Sequence, residues 1–187
     1  DWCKQTKSRC GRVVGLVYNG QCPTITSVYS YSIYGSNKEK CEAIKSVKQS
    51  DLVDLRSYGI TCTSSNSCLI KRDVAEDLKK LDEAYYAKFN KRISVASAYR
   101  SDTQQADTCR TAKGTLCAKP CSQGGAGSNH SLGDAVDFSK ETIGGCSKTG
   151  ACSNREFNWL KDPEGGGRFK MYNKLDNDNP HFSRSGR

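Results

Sequence analysis

The cysteines constrain the fold of this chain more than any other feature of its sequence. Eleven of the 187 residues are cysteine, and only two are histidine. The cysteines are Cys3, Cys10, Cys22, Cys41, Cys62, Cys68, Cys109, Cys117, Cys121, Cys146 and Cys152. None of them forms the Cys-x-x-Cys pair of a zinc knuckle, and two histidines are too few for several zinc fingers. The set therefore predicts disulfides and an oxidising compartment, whereas a nucleophilic cysteine is disfavoured because no position stands out.

Cross-links also change what the composition predicts. Hydrophobic residues make up 35% of the chain and the net charge is +9, which would favour disorder in a chain without disulfides. Disulfides can supply the stability that a small core cannot, so we expect a folded protein. Six cysteines precede residue 70 and five follow residue 105, so bridges confined to each group would leave one cysteine over.

The sequence also limits the partners and the location of the protein. No apolar run is long enough for a transmembrane helix, so we expect no membrane partner. The first residues, Asp1-Trp2-Cys3, do not resemble a signal peptide, and the chain is expected to be the mature form of a secreted, extracellular protein. The basic residues are dispersed without a recognition-helix or RNA-binding pattern, which disfavours nucleic acid as a partner. We expect a monomer.

The first 48 residues differ from the remainder of the chain. They contain β-prone runs at 13–18 and 25–34, bounded by turn signals, and a helical pattern near residues 38–47. We predict a disulfide-pinned, β-rich N-terminal extension over residues 1–48, either packed on the main domain or acting as a small wall-binding subdomain. Residues 49–187 then form the main domain.

The main domain alternates irregularly between helical and strand patterns. A stripe of apolar residues predicts a helix over 69–89, and strands are predicted over 92–99, 135–139 and 181–183. Capping boxes at Ser101–Gln104 and Ser153–Glu156 predict the starts of two further helices. This order predicts an α+β fold in which helices flank a small antiparallel sheet, with a small N-terminal β-rich extension.

Both histidines lie in segments rich in oxygen ligands, and they predict a metal site. Zinc catalysis needs about three protein ligands and an open position for water. His130, Asp137 and His181 would provide such a set, and Gly133 permits the bend that brings His130 alongside Asp137. Asp178 is spaced to act as a general base after a tight turn. The alternative is that the histidines are ordinary surface residues and the aspartates form turns.

Three motifs give the chain a resemblance to a known family. Residues 128–137 fit the pattern SxHxxGxAxD at every fixed position, and the run Asp178-Asn-Pro-His181-Phe182 is similar to a DxPHF ending. The run Ala98-Tyr99-Arg100-Ser101 with Gln105 resembles a GYRSxxxQ element, with alanine in place of the first glycine. The chain resembles the D-alanyl-D-alanine metallopeptidase-type zinc peptidases, whose fold is shared with lysostaphin and the Hedgehog signalling domain. The resemblance covers roughly residues 50–187.

The resemblance implies a role for each motif residue. It implies one zinc ion held by His130, Asp137 and His181, with Asp178 as catalytic base and Arg100 as the cation that stabilises the oxyanion. Three further residues are implied to bind substrate or to support the site through hydrogen bonds: Ser128, Gln105 and Tyr99.

The resemblance also implies a substrate, the stem peptides of bacterial peptidoglycan. Many carboxypeptidases of the group have glutamate and tryptophan where this chain has Asp178 and Pro180, a form typical of L-alanyl-D-glutamate endopeptidases. We therefore expect a secreted endopeptidase, with a D-Ala-D-Ala carboxypeptidase as the alternative. A non-catalytic, Hedgehog-like zinc domain and a disulfide-rich binding module without metal also remain open. The basic charge suits an anionic cell wall.

The segment Asn129-His130-Ser131 is a glycosylation sequon. A glycan on Asn129 would crowd the metal, so we expect this residue to be unmodified.

Overall fold

The computed structural model describes residues 36–63, 68–112, 117–175 and 177–186. These residues belong to one compact unit, which begins at Gly35. The β-prone runs at 13–18 and 25–34 lie outside the described residues, so the extension and its boundary at residue 48 stay predictions. None of the helices in the described ranges has the length and apolar character that a membrane span requires.

The described elements form an α+β fold, as predicted. In chain order they are α1 (Asn37–Ser46), β1 (Leu52–Asp54), β2 (Thr61–Cys62), β3 (Leu69–Lys71), α2 (Arg72–Phe89), β4 (Ser94–Ser97), α3 (Asp102–Thr111), β5 (Ala135–Phe138), α4 (Arg155–Lys161) and β6 (His181–Ser183). Short 3-10 turns connect several of these elements, among them His130–Leu132 directly before β5.

Two small sheets organise the chain. Strands β2, β4, β5 and β6 form one sheet in that order, in which β4, β5 and β6 are antiparallel as expected. Strand β2 instead pairs with β4 in the parallel orientation, so the sheet is mixed at its edge. Strands β1 and β3 form a separate antiparallel pair.

The helix predicted from residue 69 begins three residues later, at Arg72. Residues Leu69–Lys71 pair with β1, and the Leu69 carbonyl accepts a hydrogen bond from the Tyr99 N–H at 2.8 Å. The Lys71 N–H donates to the Gly133 carbonyl at 3.3 Å. The prediction was wrong here because these long-range backbone bonds outweigh the local helical pattern.

Helix α2 supplies the centre of the hydrophobic core. Its apolar stripe is buried and packs with the sheet residues Val136, Phe138 and Phe182. The Tyr85 hydroxyl donates to the Thr142 carbonyl at 2.7 Å, so this aromatic side chain is buried without losing its polar partner. Since Val136 and Phe138 occupy the core face of β5, Asp137 points to the opposite face, as the alternation of the strand predicts.

Four disulfides connect the described residues: Cys41–Cys121, Cys62–Cys68, Cys109–Cys117 and Cys146–Cys152. The first of them joins the two sequence groups of cysteines, so the bridges are not confined to each group. It links α1 to the loop after α3 across a sequence separation of 80 residues. The remaining three cysteines, Cys3, Cys10 and Cys22, lie outside the described residues.

Candidate functional site

The structure brings His130, Asp137 and His181 together at one point. Asp137 on β5 and His181 on β6 are directly paired in the antiparallel register, which places their side chains side by side. Gly133 has a left-handed φ of 72°, so the chain can turn sharply between His130 and β5. His130 Nε2 lies 3.2 Å from both Asp137 Oδ1 and His181 Nδ1, and the last two atoms are 3.3 Å apart.

This triangle fits a tetrahedrally coordinated metal ion. Zinc binds histidine nitrogen and carboxylate oxygen at about 2.0–2.2 Å, which sets the edge of the ligand tetrahedron at roughly 3.3–3.5 Å. The three separations, 3.2, 3.2 and 3.3 Å, lie within about 0.1 Å of the lower limit of that range. Two imidazoles and one carboxylate are also the donor types that zinc prefers. His130, Asp137 and His181 could therefore hold a metal ion.

A hydrogen bond fixes the tautomer of His130. Its Nδ1 atom lies 2.7 Å from the Ala98 carbonyl oxygen, which can only accept, so Nδ1 carries the proton. In the neutral ring, Nε2 then has a free lone pair directed at Asp137 and His181. This arrangement, in which one ring nitrogen donates to a carbonyl and the other faces the metal, is the usual one for metal-binding histidines.

The protonation states of the cluster also suit a cation. Burial lowers the pKa of His130, which favours the neutral ring that a metal requires. Burial alone would raise the pKa of Asp137, but its contacts with His130 and His181 hold that pKa well below its usual range. The site therefore presents neutral His130 beside an ionised carboxylate.

Arg100 and Asp178 face the same pocket as the cluster. One guanidinium nitrogen of Arg100 lies 3.5 Å from Asp137 Oδ2, and burial lowers the pKa of Arg100 against the opposing effect of two aspartates. Burial raises the pKa of Asp178, and the negative charge of Asp137 adds to the increase. The Asp178 carbonyl accepts from the His181 N–H at 3.1 Å, so the predicted tight turn between these residues is present.

The pocket in front of the cluster has a volume of about 250 Å³. Buried polar atoms are normally hydrogen-bonded, and each exception calls for an explanation. Among the described residues, four buried side-chain polar atoms have no partner: Arg100 Nε, Gln105 Oε1, Ser131 Oγ and Asp178 Oδ1. Three of the four belong to residues that line this pocket. These three side chains leave hydrogen-bonding atoms that a ligand in the pocket could pair with.

Of the three residues expected to support the site, two line the pocket and one does not. Ser128 is buried in the pocket wall, and its hydroxyl accepts from the His130 N–H at 3.2 Å. Gln105 also lines the pocket, and its amide nitrogen donates to the Ala118 carbonyl at 3.1 Å. Tyr99 lines a neighbouring pocket with Ile44 and Asp102, so the structure does not bring it together with the others.

Sequence reasoning did not find two lysines that line the pocket, Lys40 and Lys148. Lys40 lies on α1, and Lys148 lies in the loop closed by Cys146–Cys152. Both residues stand outside the three motifs, and a single lysine carries no pattern of its own. The cysteines were the sequence signal that could have pointed to these segments, because three of the disulfides lie in segments that form the wall of this pocket.

We predict that Asn129 carries no glycan in the folded protein. Its side chain is only 8% exposed, and its Nδ2 donates to Ser185 Oγ at 2.8 Å and to Ser183 Oγ at 3.2 Å. A glycan on Nδ2 would remove these bonds and require space that the packing does not provide. Intact-mass analysis of protein secreted by a eukaryotic host should show the unmodified mass. A fully occupied Asn129 in correctly folded protein would contradict the packing described here.

A cluster of metal-ligand side chains, a carboxyl and a guanidinium around one pocket of an α+β fold are the parts of a metallopeptidase. A family model described as VanY, D-alanyl-D-alanine carboxypeptidase, matches residues 67–180, which is more than half of the chain. The chain belongs to this family. The match includes Arg100, His130, Asp137 and Asp178 and ends one residue before His181.

Two solved structures are similar to the chain. A structure of the LdcB LD-carboxypeptidase, described as revealing the basis of peptidoglycan recognition, superposes with a TM-score of 0.54 at 19% identity and covers 74% of this chain and 69% of its own. This likeness supports the fold. A mutant of VanY, a vancomycin resistance D,D-pentapeptidase, in complex with Zn(II) gives a TM-score of 0.45 at 22% identity, with coverage of 72% and 78%. A comparison with curated proteins gave no match.

Proposed function

We propose that the chain is a secreted zinc peptidase that hydrolyses amide bonds in the stem peptides of bacterial peptidoglycan. The observation that carries the proposal is the convergence of a His-Asp-His cluster with three unpartnered polar atoms on one pocket wall. Membership of the VanY family supports the substrate class, because that family is described as acting on D-alanyl-D-alanine. Four disulfides support an oxidising location, and a sequence pI near 9.0 suits an anionic wall.

His130, Asp137 and His181 would hold the zinc ion. When bound, zinc lowers the pKa of a water ligand from about 15.7 to roughly 7 and polarises a carbonyl oxygen. Asp178 accepts the proton from the attacking water and delivers it to the leaving amine. Its raised pKa suits this exchange, since a carboxyl that holds a proton more tightly is a better acceptor. Arg100 donates from its unpartnered Nε to the oxyanion of the tetrahedral intermediate.

Replacing Arg100 by methionine should lower kcat/KM by about 10²- to 10³-fold, the usual cost of removing one oxyanion donor. The long apolar side chain of methionine keeps much of the packing, and the three metal ligands remain, so the bound metal should be unchanged. Steady-state kinetics with metal analysis would measure both effects. Arg56→Met is a suitable control because Arg56 is exposed and pairs with Asp54, away from the pocket. Equal kcat/KM for wild type and Arg100→Met would exclude the proposed role.

The bond we propose is the L-alanyl-D-glutamate bond, cut by an endopeptidase. This preference is based on the Asp178-Asn-Pro-His181 form of the last motif. The second candidate, a D-Ala-D-Ala carboxypeptidase, is favoured by the description of the family model and fits the same site chemistry.

Digestion of purified peptidoglycan, followed by mass spectrometry of the products, distinguishes the candidates. An endopeptidase exposes a new amino terminus on D-glutamate, whereas a carboxypeptidase releases free D-alanine. If no product forms from several wall types while zinc is bound, the site is that of a non-catalytic binding domain. If purified protein binds no metal, the zinc peptidase proposal is wrong.

A further inference from the structure

Helix α1 lies outside the residues that the family model matches, yet it contributes a side chain to the active-site pocket. Lys40 on this helix lines the pocket together with Arg100, His130 and Asp178. Its ammonium group donates to the Gly127 carbonyl at 3.1 Å, which orients the side chain along the pocket wall. The pocket therefore contains, besides the residues of the family motifs, a cation from α1.

Several contacts fix α1 in this position. The Cys41–Cys121 disulfide links the residue next to Lys40 to the loop that follows α3. Gly127 has a left-handed φ of 71°, and the place where its Cβ would lie is taken by the Ile44 side chain and the Cys121 sulfur. A capping box between Ser36 and Glu39 closes the start of the helix. The position of Lys40 is thus built into the fold.

Lys40 is partly buried, yet it has no carboxylate within ion-pair distance among the described residues. By contrast, the nearby Lys71 pairs with Asp134 at 3.0 Å. Burial lowers the pKa of Lys40, and the charge of Asp134 offsets only part of this effect. The Gly127 carbonyl and the charge of Asp134 compensate only part of the solvation that this cation loses, and a ligand carboxylate would supply the paired negative charge.

Among the described residues, the lining of the pocket also has a surplus of positive charge. Its charged side chains are Lys40, Arg100, Lys148, Asp137 and Asp178. Asp137 is directed to the two histidines, so even without a metal ion the pocket favours an anionic ligand. Lys40 and Lys148 come from two different disulfide-linked segments, which gives the pocket cations outside the metal cluster.

We infer that Lys40 is a specificity-determining residue that binds a carboxylate of the peptide substrate, and that the Cys41–Cys121 disulfide holds it in place for this purpose. The inference rests on the proposed function and deepens it. A stem peptide offers two such carboxylates, the C-terminal one and the α-carboxylate of an iso-linked D-glutamate. The chemistry recognised is the same for both, and the test below separates them.

The test measures binding, so that it does not depend on turnover. In the zinc-loaded Asp178→Asn background, calorimetry compares a stem pentapeptide with its C-terminal amide and with its D-isoglutamine form. Lys40→Gln should weaken binding of the carboxylate peptide by roughly tenfold or more, the effect of losing one charge-assisted hydrogen bond. One of the two amidated peptides lacks the carboxylate that Lys40 recognises. The affinity for that peptide should be the same in Lys40→Gln as in the protein with Lys40. That peptide identifies the carboxylate that Lys40 binds.

Two further variants define the result. Lys38→Gln removes the same charge from an exposed position on the same helix and should have no effect. The double variant Cys41→Ser with Cys121→Ser should reproduce the selective loss if the disulfide positions Lys40. Full selectivity in the double variant would refute the role of the disulfide. An equal loss for carboxylate and amide peptides, or no loss with Lys40→Gln, would refute the inference.

Failure of this inference can be told apart from failure of the proposed function. Carboxylate-selective binding that depends on Lys40, together with no digestion of any wall by the wild type, would reject the peptidase and retain the inference. Digestion by the wild type with no change in selectivity in Lys40→Gln would reject the inference and retain the peptidase. If none of the stem peptides in the calorimetric test binds, the inference is rejected as well.

Discussion

Replacing His181 by alanine should remove the bound metal and abolish peptide hydrolysis. The Nδ1 atom of His181 is one corner of the ligand triangle, 3.2 Å from His130 Nε2 and 3.3 Å from Asp137 Oδ1. Without it, two protein ligands remain, fewer than the three that catalytic zinc sites use. Elemental analysis after dialysis should find about one zinc ion per wild-type chain and almost none in the variant. Hydrolysis of stem peptides should fall below detection.

Chelation provides the matched comparison for this variant. Wild-type protein stripped of metal should recover its activity when zinc is added, whereas His181→Ala should not recover at the same zinc concentration. Zinc should also raise the Tm of the wild type, because a ligand that binds only the folded state stabilises it. The variant should show little of this increase. If His181→Ala keeps both its zinc and its activity, the metal is held elsewhere.

The sequence contained enough information to predict the metal cluster because the relevant geometry is local. His130 and Asp137 are separated by one turn at Gly133 and the start of a strand, so their spacing alone brings them together. His181 reaches them through the register of β5 with β6, in which Asp137 and His181 are directly paired. With two histidines in the chain, the number of alternative ligand sets was also small.

The long-range parts of the structure could not be predicted in the same way. The pairing of β1 with β3 converts Leu69–Lys71 from the start of a helix into a strand, and only the position of β1 reveals this. The Cys41–Cys121 disulfide spans 80 residues, and nothing in the spacing of cysteines distinguishes it from the alternatives. Lys40 was missed for the same reason, because its place in the pocket comes from long-range contacts such as its hydrogen bond to the Gly127 carbonyl.

Two similar capping patterns had different outcomes. At Ser101 the box is present, since its hydroxyl accepts from the Gln104 N–H and the Gln104 side chain accepts in return. The box predicted at Ser153 is wrong, because α4 begins at Arg155 with Asn154 as its N-cap. Glu156, the expected partner of Ser153, instead forms an ion pair with Lys91 at 2.9 Å. A capping box is a local motif that needs two particular side chains. When one of these side chains binds a tertiary partner instead, the box is lost.

Replacing Asp178 by asparagine should lower kcat by about 10²- to 10⁴-fold, the usual contribution of a general base. Asparagine keeps the shape of the side chain but cannot take a proton from water. The Asp178 carbonyl, which anchors the turn by accepting from Asn173 Nδ2 at 3.0 Å, is unaffected by the change. Folding and zinc content should therefore match those of the wild type. Steady-state kinetics, circular dichroism and elemental analysis would check these three expectations.

The pH dependence gives a second measure of the same role. A general base must be ionised, so acidification should reduce kcat as Asp178 becomes protonated. Because burial raises its pKa, the reduction should begin at a higher pH than for an ordinary aspartate. Measuring zinc content across the same pH range separates protonation of Asp178 from loss of the metal, since metal affinity also falls when the ligands take up protons.

Asp162→Asn makes the same chemical change at an exposed position outside the pocket and should leave kcat unchanged. The comparison distinguishes a base from a residue that only shapes the loop, because a structural role would change KM or stability rather than the acid limb of the profile. If Asp178→Asn retains full kcat with the same acid limb, another group accepts the proton. Among the described residues, Asp137 is the other carboxyl that lines the pocket, but it is directed to the two histidines and its pKa is held well below the usual range. It is thus a poor proton acceptor, and Asp178 is the carboxyl of this pocket that suits the task.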